Sequence, residues 1–264
     1  MISVGMSLRP TEVWASWRRL DWMAWLSLVT ATFIIPPALA LLLANLLRLD
    51  PSETAGLFLV GVAPGAPLLT RNLARKGFEL HLAASYQIWA ALMIPVMIPV
   101  LVALAGQLYG RDIWIPPTVL ARQIVLKQLL PFAAGIGITW AIPASKRLVP
   151  ALSLLGNLIL AVAIPLAIFK MGHELLNISP LVPVAVVLLA AGSIAAFLPF
   201  RYKEPGLRST FAICNANRHI GLALLLSGQY TNARHALPVI ACYAVVVPLI
   251  LIAYAKWYSA RIGQ

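Results

Sequence analysis

The sequence predicts an all-α polytopic membrane protein, and composition, apolar runs and the placing of charge support this prediction. Of 264 residues, 61% are hydrophobic and only 11% are charged, too few to cover a soluble protein of this size. Eight apolar runs approach the roughly 20 residues that an α-helix needs to cross a bilayer. These predicted spans are 22–47, 54–69, 78–106, 119–141, 150–170, 181–200, 210–229 and 236–257.

The distribution of basic residues predicts the orientation of the chain. The net charge is +12, and most Lys and Arg residues lie in short connectors between the apolar runs. With the N-terminus inside, thirteen of them fall on inner connectors or the last helix end and four on outer connectors. This bias places both termini in the cytoplasm, in an inner or plasma membrane, and argues against nucleic acid as a partner. The acids Asp50, Glu53, Asp112 and Glu174 fall on outer connectors, where we expect solvated side chains.

Spans one to three and six to eight form two triplets of opposite predicted orientation, and the middle span of each is interrupted. In the first triplet, Pro64 and Pro67 make a continuous helix unfavourable, because proline lacks a backbone donor and clashes with the preceding turn. In the second, a polar run extends from Asn215 to Gly221. Paired interruptions in two halves are typical of the binding site of a transporter built from inverted repeats.

The second interruption carries the strongest chemical signal. Ten helical residues at about 1.5 Å each would place Arg218 some 15 Å deep, near the membrane midplane. There a charged Arg costs roughly 2.5–3.5 kcal/mol, so a functional role is expected. With a helix N-terminus, Arg218 could bind an organic anion, assisted by Asn215 and Asn217, while His219 could relay a proton. The alternative is that Arg218 and the amides only tie the broken backbone together.

The first interruption is less polar. Gly61 and Gly65 form a small-xxx-small pair, which would allow two broken helices to cross closely. Downstream, Thr70 and Asn72 are weaker candidates for substrate binding. At the start of the third span, Glu79 and His81 are candidates for coupling transport to a proton. The residues predicted to break the two helices are Pro64, Gly65, Pro67 and Gly221.

The chemistry of an enzyme is not indicated. No nucleophile with an adjacent base, phosphate-binding glycine loop or His/Cys metal-ligand spacing occurs in the sequence. We therefore expect no catalytic residues, no bound metal and no organic cofactor, with sodium or a proton as the candidate coupling ion.

Two segments resemble the bile acid:sodium symporter family, within the bile/arsenite/riboflavin transporter superfamily. Residues 56–65, Gly-Leu-Phe-Leu-Val-Gly-Val-Ala-Pro-Gly, resemble the family's Gly-x-x-x-(small)-Pro-Gly segment. Residues 217–223 match the place of its Gln-Asn-x-Gly-Leu-Ala segment, and residues 4–8 resemble the tail of its second helix. The likeness covers nearly the whole chain.

The resemblance implies an inverted-repeat fold in which a core domain holds two crossed, discontinuous helices beside a panel domain. The eight spans would be the family's third to tenth helices, so the chain would be truncated, mis-started or a shorter variant. Residues 1–264 would form a single integral membrane domain. Its parts would be a first core triplet at 22–106, panel helices at 119–170 and a second core triplet at 181–257.

The sequence also departs from the sodium-binding members of that family. Those members carry Ser-Asn after the Pro-Gly turn, where this chain has Leu69 and Thr70. Their Glu-x-x-x-Gln-Asn segment becomes the run from Cys214 to His219, so a carboxylate is lost and a cation is gained. We therefore expect a divergent member that lacks the sodium-ligand pattern.

These observations predict a secondary-active transporter of a small or amphipathic organic anion. A membrane-embedded receptor or sensor that binds a ligand without transport is the alternative. The expected partners are the anion and the lipid bilayer, and a homodimer that replaces the missing helices is left open.

Overall fold

The computed structural model describes residues 2–7, 10–65, 80–109, 117–170, 178–200, 206–228 and 236–262. Within these ranges the regular structure is entirely helical. The N-terminal half contains α1 (Ile2–Ser7), α2 (Pro10–Arg19), α3 (Trp22–Leu46), α4 (Pro51–Val62) and α5 (Leu80–Tyr109). It is followed by α6 (Thr118–Ala141), the 3-10 turn Pro143–Leu148 and α7 (Val149–Lys170). The C-terminal half contains α8 (Val182–Ala195), α9 (Leu207–Ala216), α10 (Ile220–Ser227) and α11 (Ala236–Ile262).

Helices lie at all eight predicted spans, which confirms the all-α polytopic fold. Among the described residues, four helices are long and apolar enough to cross a membrane, namely α3, α11, Ser85–Gln107 within α5, and α6. The helix α4 has 12 residues, so it rises about 18 Å and covers little more than half of a hydrocarbon core of roughly 30 Å. The described part of α4 is therefore too short to cross the hydrocarbon core by itself.

The first long helix, α3, widens to a π-helical turn at Thr30–Ile34, directly before Pro36 and Pro37. In this turn the Ile35 N–H bonds to the Thr30 carbonyl, five residues back. The next two donors in that register would serve Ala31 and Thr32, but both would come from prolines, which have none. The carbonyls of Ala31 and Thr32 are thus released from the helix ladder and need other donors.

The segment before the first predicted span, which the charge distribution places on the inner side, contains the helices α1 and α2. Its helix α1 packs against α6 and α7, and two glycines lie at the contact with α6. A Cβ on Gly5 would meet the Phe132 carbonyl oxygen, and one on Gly135 would meet that of Ile2. The Thr139 hydroxyl also donates to the Met6 carbonyl at 3.3 Å. Backbone contact of this kind is what small residues permit between membrane helices.

The prediction of a solvated Glu53 was wrong. Glu53 is 2% exposed and lies in the first turn of α4, which begins at Pro51. One oxygen accepts the Asp50 N–H as part of a capping box, and the other accepts the Ser179 N–H at 2.6 Å. A buried acid was possible here because backbone donors from two segments satisfy it.

The two predicted triplets pack against each other around one apolar core. The helices α3 and α4 contact each other, α8 contacts α3, and α11 contacts both α4 and α8. The helix α9 lies between α5, α8 and α11, and α10 lies between α4 and α11. The interruption of the seventh span therefore lies inside this core, whereas the division into core triplets and panel stays a prediction.

Candidate functional site

The two interrupted spans meet inside the protein. The first helix of one, α4, ends at Val62, and the chain leaves it through Ala63, Pro64 and Gly65. The other span is broken between α9 and α10 at residues 217–219. The His219 N–H donates to the Ala63 carbonyl at 3.0 Å, so the backbone of one break directly satisfies the other.

The two glycines of the first interruption do not serve the crossing in the way predicted from their spacing. Gly61 faces Pro36 and Ala40 on α3, where a Cβ would come within 3.1–3.2 Å of their atoms. Gly65 adopts a positive φ of 48° and lies against the ring of Tyr86. Glycine is required there because the left-handed conformation strains any residue with a Cβ.

Asn215, in the last turn of α9, is the centre of a fully buried hydrogen-bond network. Its Nδ2 donates to the Ala31 carbonyl at 2.9 Å and to the Ser193 carbonyl at 2.8 Å. Its Oδ1 accepts the Tyr86 hydroxyl at 3.1 Å, and that hydroxyl lies 3.2 Å from Thr32 Oγ1. One amide thereby joins α9 to α3, α8 and α5.

Arg218 lies in the break itself and is only 1% exposed. Its guanidinium donates through Nη1 to the Thr32 carbonyl at 3.3 Å and through Nη2 to the Ser193 hydroxyl at 3.5 Å. The Tyr243 hydroxyl of α11 also interacts with it and donates to the Ala216 carbonyl at 2.7 Å. The partners of this cation are therefore neutral oxygens from three helices.

The acceptors of this network are carbonyls that their own helices cannot satisfy. The Ala31 and Thr32 carbonyls lack intrahelical donors because Pro36 and Pro37 have no N–H. The Ser193 carbonyl lies at the end of α8, where the Phe197 N–H bonds to Ile194 instead. Asn215 and Arg218 thus supply the missing donors for backbone groups that have no water in the membrane interior.

His219 caps the helix that follows it. Its Nδ1 accepts the Leu222 N–H at 3.1 Å, which satisfies a donor in the first turn of α10. Since Nδ1 accepts, the neutral imidazole carries its proton on Nε2. The sequence indicated a proton relay and did not indicate this cap.

Within the break, two buried donors have no partner among the described residues, Arg218 Nε and His219 Nε2. No carboxylate whose side chain is described contacts Arg218: Asp21 caps α3 through the Ala24 N–H, and Glu53 binds Asp50 and Ser179. The break is therefore a positively charged, donor-rich centre in an apolar surrounding. Such a centre favours an anionic or strongly accepting ligand.

The same residues do not fit a sodium ion. The nearby oxygens are neutral, and those of Thr32, Ser193 and Tyr243 already face the guanidinium. Two unit charges 4 Å apart repel by about 4 kcal/mol at an effective dielectric constant of 20. No cluster of three His, Cys, Asp or Glu side chains suited to a metal occurs in the described part either.

The remaining predicted site residues either add no described contact to this centre or lie outside the described residues. Asn217 is half-buried in the break, whereas Gly221 lies inside α10, so the break is narrower than the predicted run to Gly221. His81 lies in the first turn of α5, and its side chain is outside the described set. Pro67, Thr70, Asn72 and Glu79 also lie outside the described residues.

Four residues that contact this centre were missed from the sequence: Thr32, Tyr86, Ser193 and Tyr243. Each is a neutral hydroxyl in a mainly apolar span, which by itself carries little signal. The usable signal was Pro36 and Pro37, because the carbonyls that a proline pair releases must find donors elsewhere.

The sequence also matches a known protein family. The sequence profile described as the sodium bile acid symporter family matches residues 1–178, more than half of the chain. That match contains the first interruption, and the second lies beyond it. A comparison with curated proteins found no match. Members of the matched family are transporters rather than enzymes. The chain belongs to the sodium bile acid symporter family and is a multi-pass membrane transporter whose apolar helices fit transmembrane spans.

Proposed function

We propose that this protein is a secondary transporter of a small or amphipathic organic anion, located in the cell membrane with both termini cytoplasmic. One observation carries the proposal: a buried Arg218, without a carboxylate partner among the described side chains, lies where two broken helices meet. A cation in this position attracts an anion strongly, because little water screens it.

Arg218 and Asn217 are the proposed direct ligands of the anion, with Thr70 and Asn72 as further candidates. Asn215 has its donors and its carbonyl oxygen engaged by Ala31, Ser193 and Tyr86, so we assign it a positioning role. Since Arg218 is sealed from solvent in this conformation, access requires movement that opens the crossing to one side at a time.

The coupling ion is the second part of the proposal, and His219, His81 and Glu79 are its candidate proton carriers. Of these, only the contacts of His219 are described. Its unpartnered Nε2 supports a proton relay, and its Nδ1 supports a purely structural cap.

Uptake into proteoliposomes tests the function. A pooled organic-anion library is offered to the purified protein, with sodium and proton gradients imposed separately. We expect anion uptake by the wild type and a loss of at least about 100-fold in Arg218→Ala, the scale on which buried charged contacts act. The matched control is Arg147→Ala, which removes an exposed Arg from the 3-10 turn Pro143–Leu148 and should transport normally.

Two outcomes would contradict the proposal. Sodium-driven uptake that survives Arg218→Ala would exclude Arg218 as the anion site. Saturable anion binding by the purified protein with no uptake under any gradient would instead support the receptor or sensor.

The role of His219 can be separated with two variants. His219→Asn keeps a side-chain acceptor at the helix N-cap, and His219→Ala removes it. If His219 relays protons, both variants lose proton-driven uptake. Normal uptake by His219→Asn would show that the residue acts only as a cap.

A further inference from the structure

We propose that the Arg218 guanidinium is a built-in cation that occupies, permanently, a position where this chain would otherwise hold an exchangeable sodium ion. The family description names sodium, and the centre of this chain does not fit it. The inference rests on the proposed transport function for its consequence, which is that anion uptake requires no sodium.

The first step concerns the groups around the guanidinium. They are the Thr32 carbonyl, the Ser193 hydroxyl and the Tyr243 hydroxyl, from α3, α8 and α11. Neutral carbonyl and hydroxyl oxygens from several helices are also the groups that replace the hydration shell of an alkali cation in membrane proteins. The cage is thus suited to a monovalent cation, and the chain supplies that cation itself.

The second step is that the cage does not depend on Arg218 for its formation. Pro37 releases the Thr32 carbonyl, Leu189 holds the Ser193 hydroxyl through its carbonyl at 2.7 Å, and Ala216 holds the Tyr243 hydroxyl. Asn215 joins α3 to α8 beside it. Removing the guanidinium would therefore leave oxygens with no donor, in a space from which no fixed positive charge repels sodium.

The third step is the expected gain of function. While Arg218 is present, like-charge repulsion excludes a mobile cation. When it is shortened to Ala or neutralised to Gln, a small cation from solution should take its place and restore the lost stability. A large cation such as choline should not.

The experiment measures thermal unfolding of the full-length protein in detergent, in sodium chloride, choline chloride or choline chloride with millimolar guanidinium. The variants are Arg218→Ala, Arg218→Gln and the exposed control Arg147→Ala. We expect the Tm of the wild type and of Arg147→Ala to be the same in sodium and choline. The Tm of both Arg218 variants should rise by about 5 °C in saturating sodium, and that of Arg218→Ala should rise with guanidinium.

A wild-type Tm that rises in sodium over choline would overturn the proposal, as would Arg218 variants that respond to neither cation. If both variants fail to fold, binding of radioactive sodium by the wild type decides: saturable binding overturns the proposal, and its absence supports it. The transport function fails separately, if the wild type takes up no anion under any gradient. In that case the sodium response of the Tm still tests the built-in cation.

Discussion

The two helix interruptions differ in what they offer to each other. The first, at Ala63–Gly65, contains a proline that restricts the backbone and a glycine that permits a positive φ, and in its described part it offers an acceptor, the Ala63 carbonyl. The second, at residues 217–219, is built from polar residues and offers donors: the His219 N–H and the Arg218 guanidinium. The difference shows that the two predicted halves of this chain are complementary here without being alike.

The same pairing of carbonyl acceptors with polar donors is found outside the two interruptions. Carbonyls at Ala31, Thr32 and Ser193 are released by prolines or by a helix end, and donors from the second interruption satisfy them. Of these carbonyls, those of Ala31 and Thr32 belong to the proline-based half, which is thus completed by side chains of the polar half, whereas Ser193 belongs to the polar half itself.

The largest effect on stability is expected for Asn215→Ala. This change leaves the Ala31 and Ser193 carbonyls without the donor they have in the native protein, and it leaves Thr32 Oγ1 as the remaining partner of the Tyr86 hydroxyl. At about 1–3 kcal/mol for each buried unsatisfied group, the free energy of unfolding should fall by about 3 kcal/mol or more. Chemical denaturation in detergent measures it, and the exposed Asn45→Ala should change it by less than about 0.5 kcal/mol. Equal losses in the two variants would contradict the donor role of the polar half.

The first interruption is tested by Gly65→Ala. Alanine at this position must adopt a positive φ, and its Cβ would lie 2.9 Å from the Tyr86 ring. We expect a loss of about 2 kcal/mol in the free energy of unfolding, from the left-handed conformation and the displaced ring. Gly137→Ala is the control, because its Cβ meets nothing within 4 Å and should stabilise the helix slightly. A neutral Gly65→Ala would show that the first break does not depend on its backbone conformation.

A smaller effect is expected for Tyr243→Phe. The change removes the hydroxyl that donates to Ala216 and faces Arg218, while the ring stays packed. The loss should be about 1 kcal/mol in unfolding, with a larger loss in anion uptake because Arg218 is less firmly held. Unchanged uptake and stability would remove Tyr243 from the description of the site.

The smallest effect is a coupling between Pro36 and Asn215. Pro36→Ala restores an N–H that can bond to the Ala31 carbonyl in the π-helical register, in competition with the Asn215 amide. In this background, Asn215→Ala should cost about 1 kcal/mol less than in the wild type. A double-mutant cycle on unfolding free energies measures this term, and strict additivity would refute the link between the proline pair and the amide.

Much of the fold was predictable because the bilayer imposes simple rules. The lengths of apolar runs located all eight spans, and proline chemistry located the end of α4 near Pro64. Arg218 indicated the second break, because a charged side chain is costly within an apolar span. Glu53 was misjudged, because connector position alone does not reveal that Ser179 and Asp50 surround its carboxylate with N–H donors.

The sequence alone was enough to predict the apolar spans, the two helix interruptions, and the presence of a cation at one of them. These are local properties of hydropathy, proline and charge. The tertiary structure alone decided the partners: Arg218 with Thr32 and Ser193, Asn215 with Ala31 and Tyr86, and His219 with Ala63. Such pairings join segments distant in sequence, and they depend on which carbonyls each helix leaves unsatisfied once the two halves have packed.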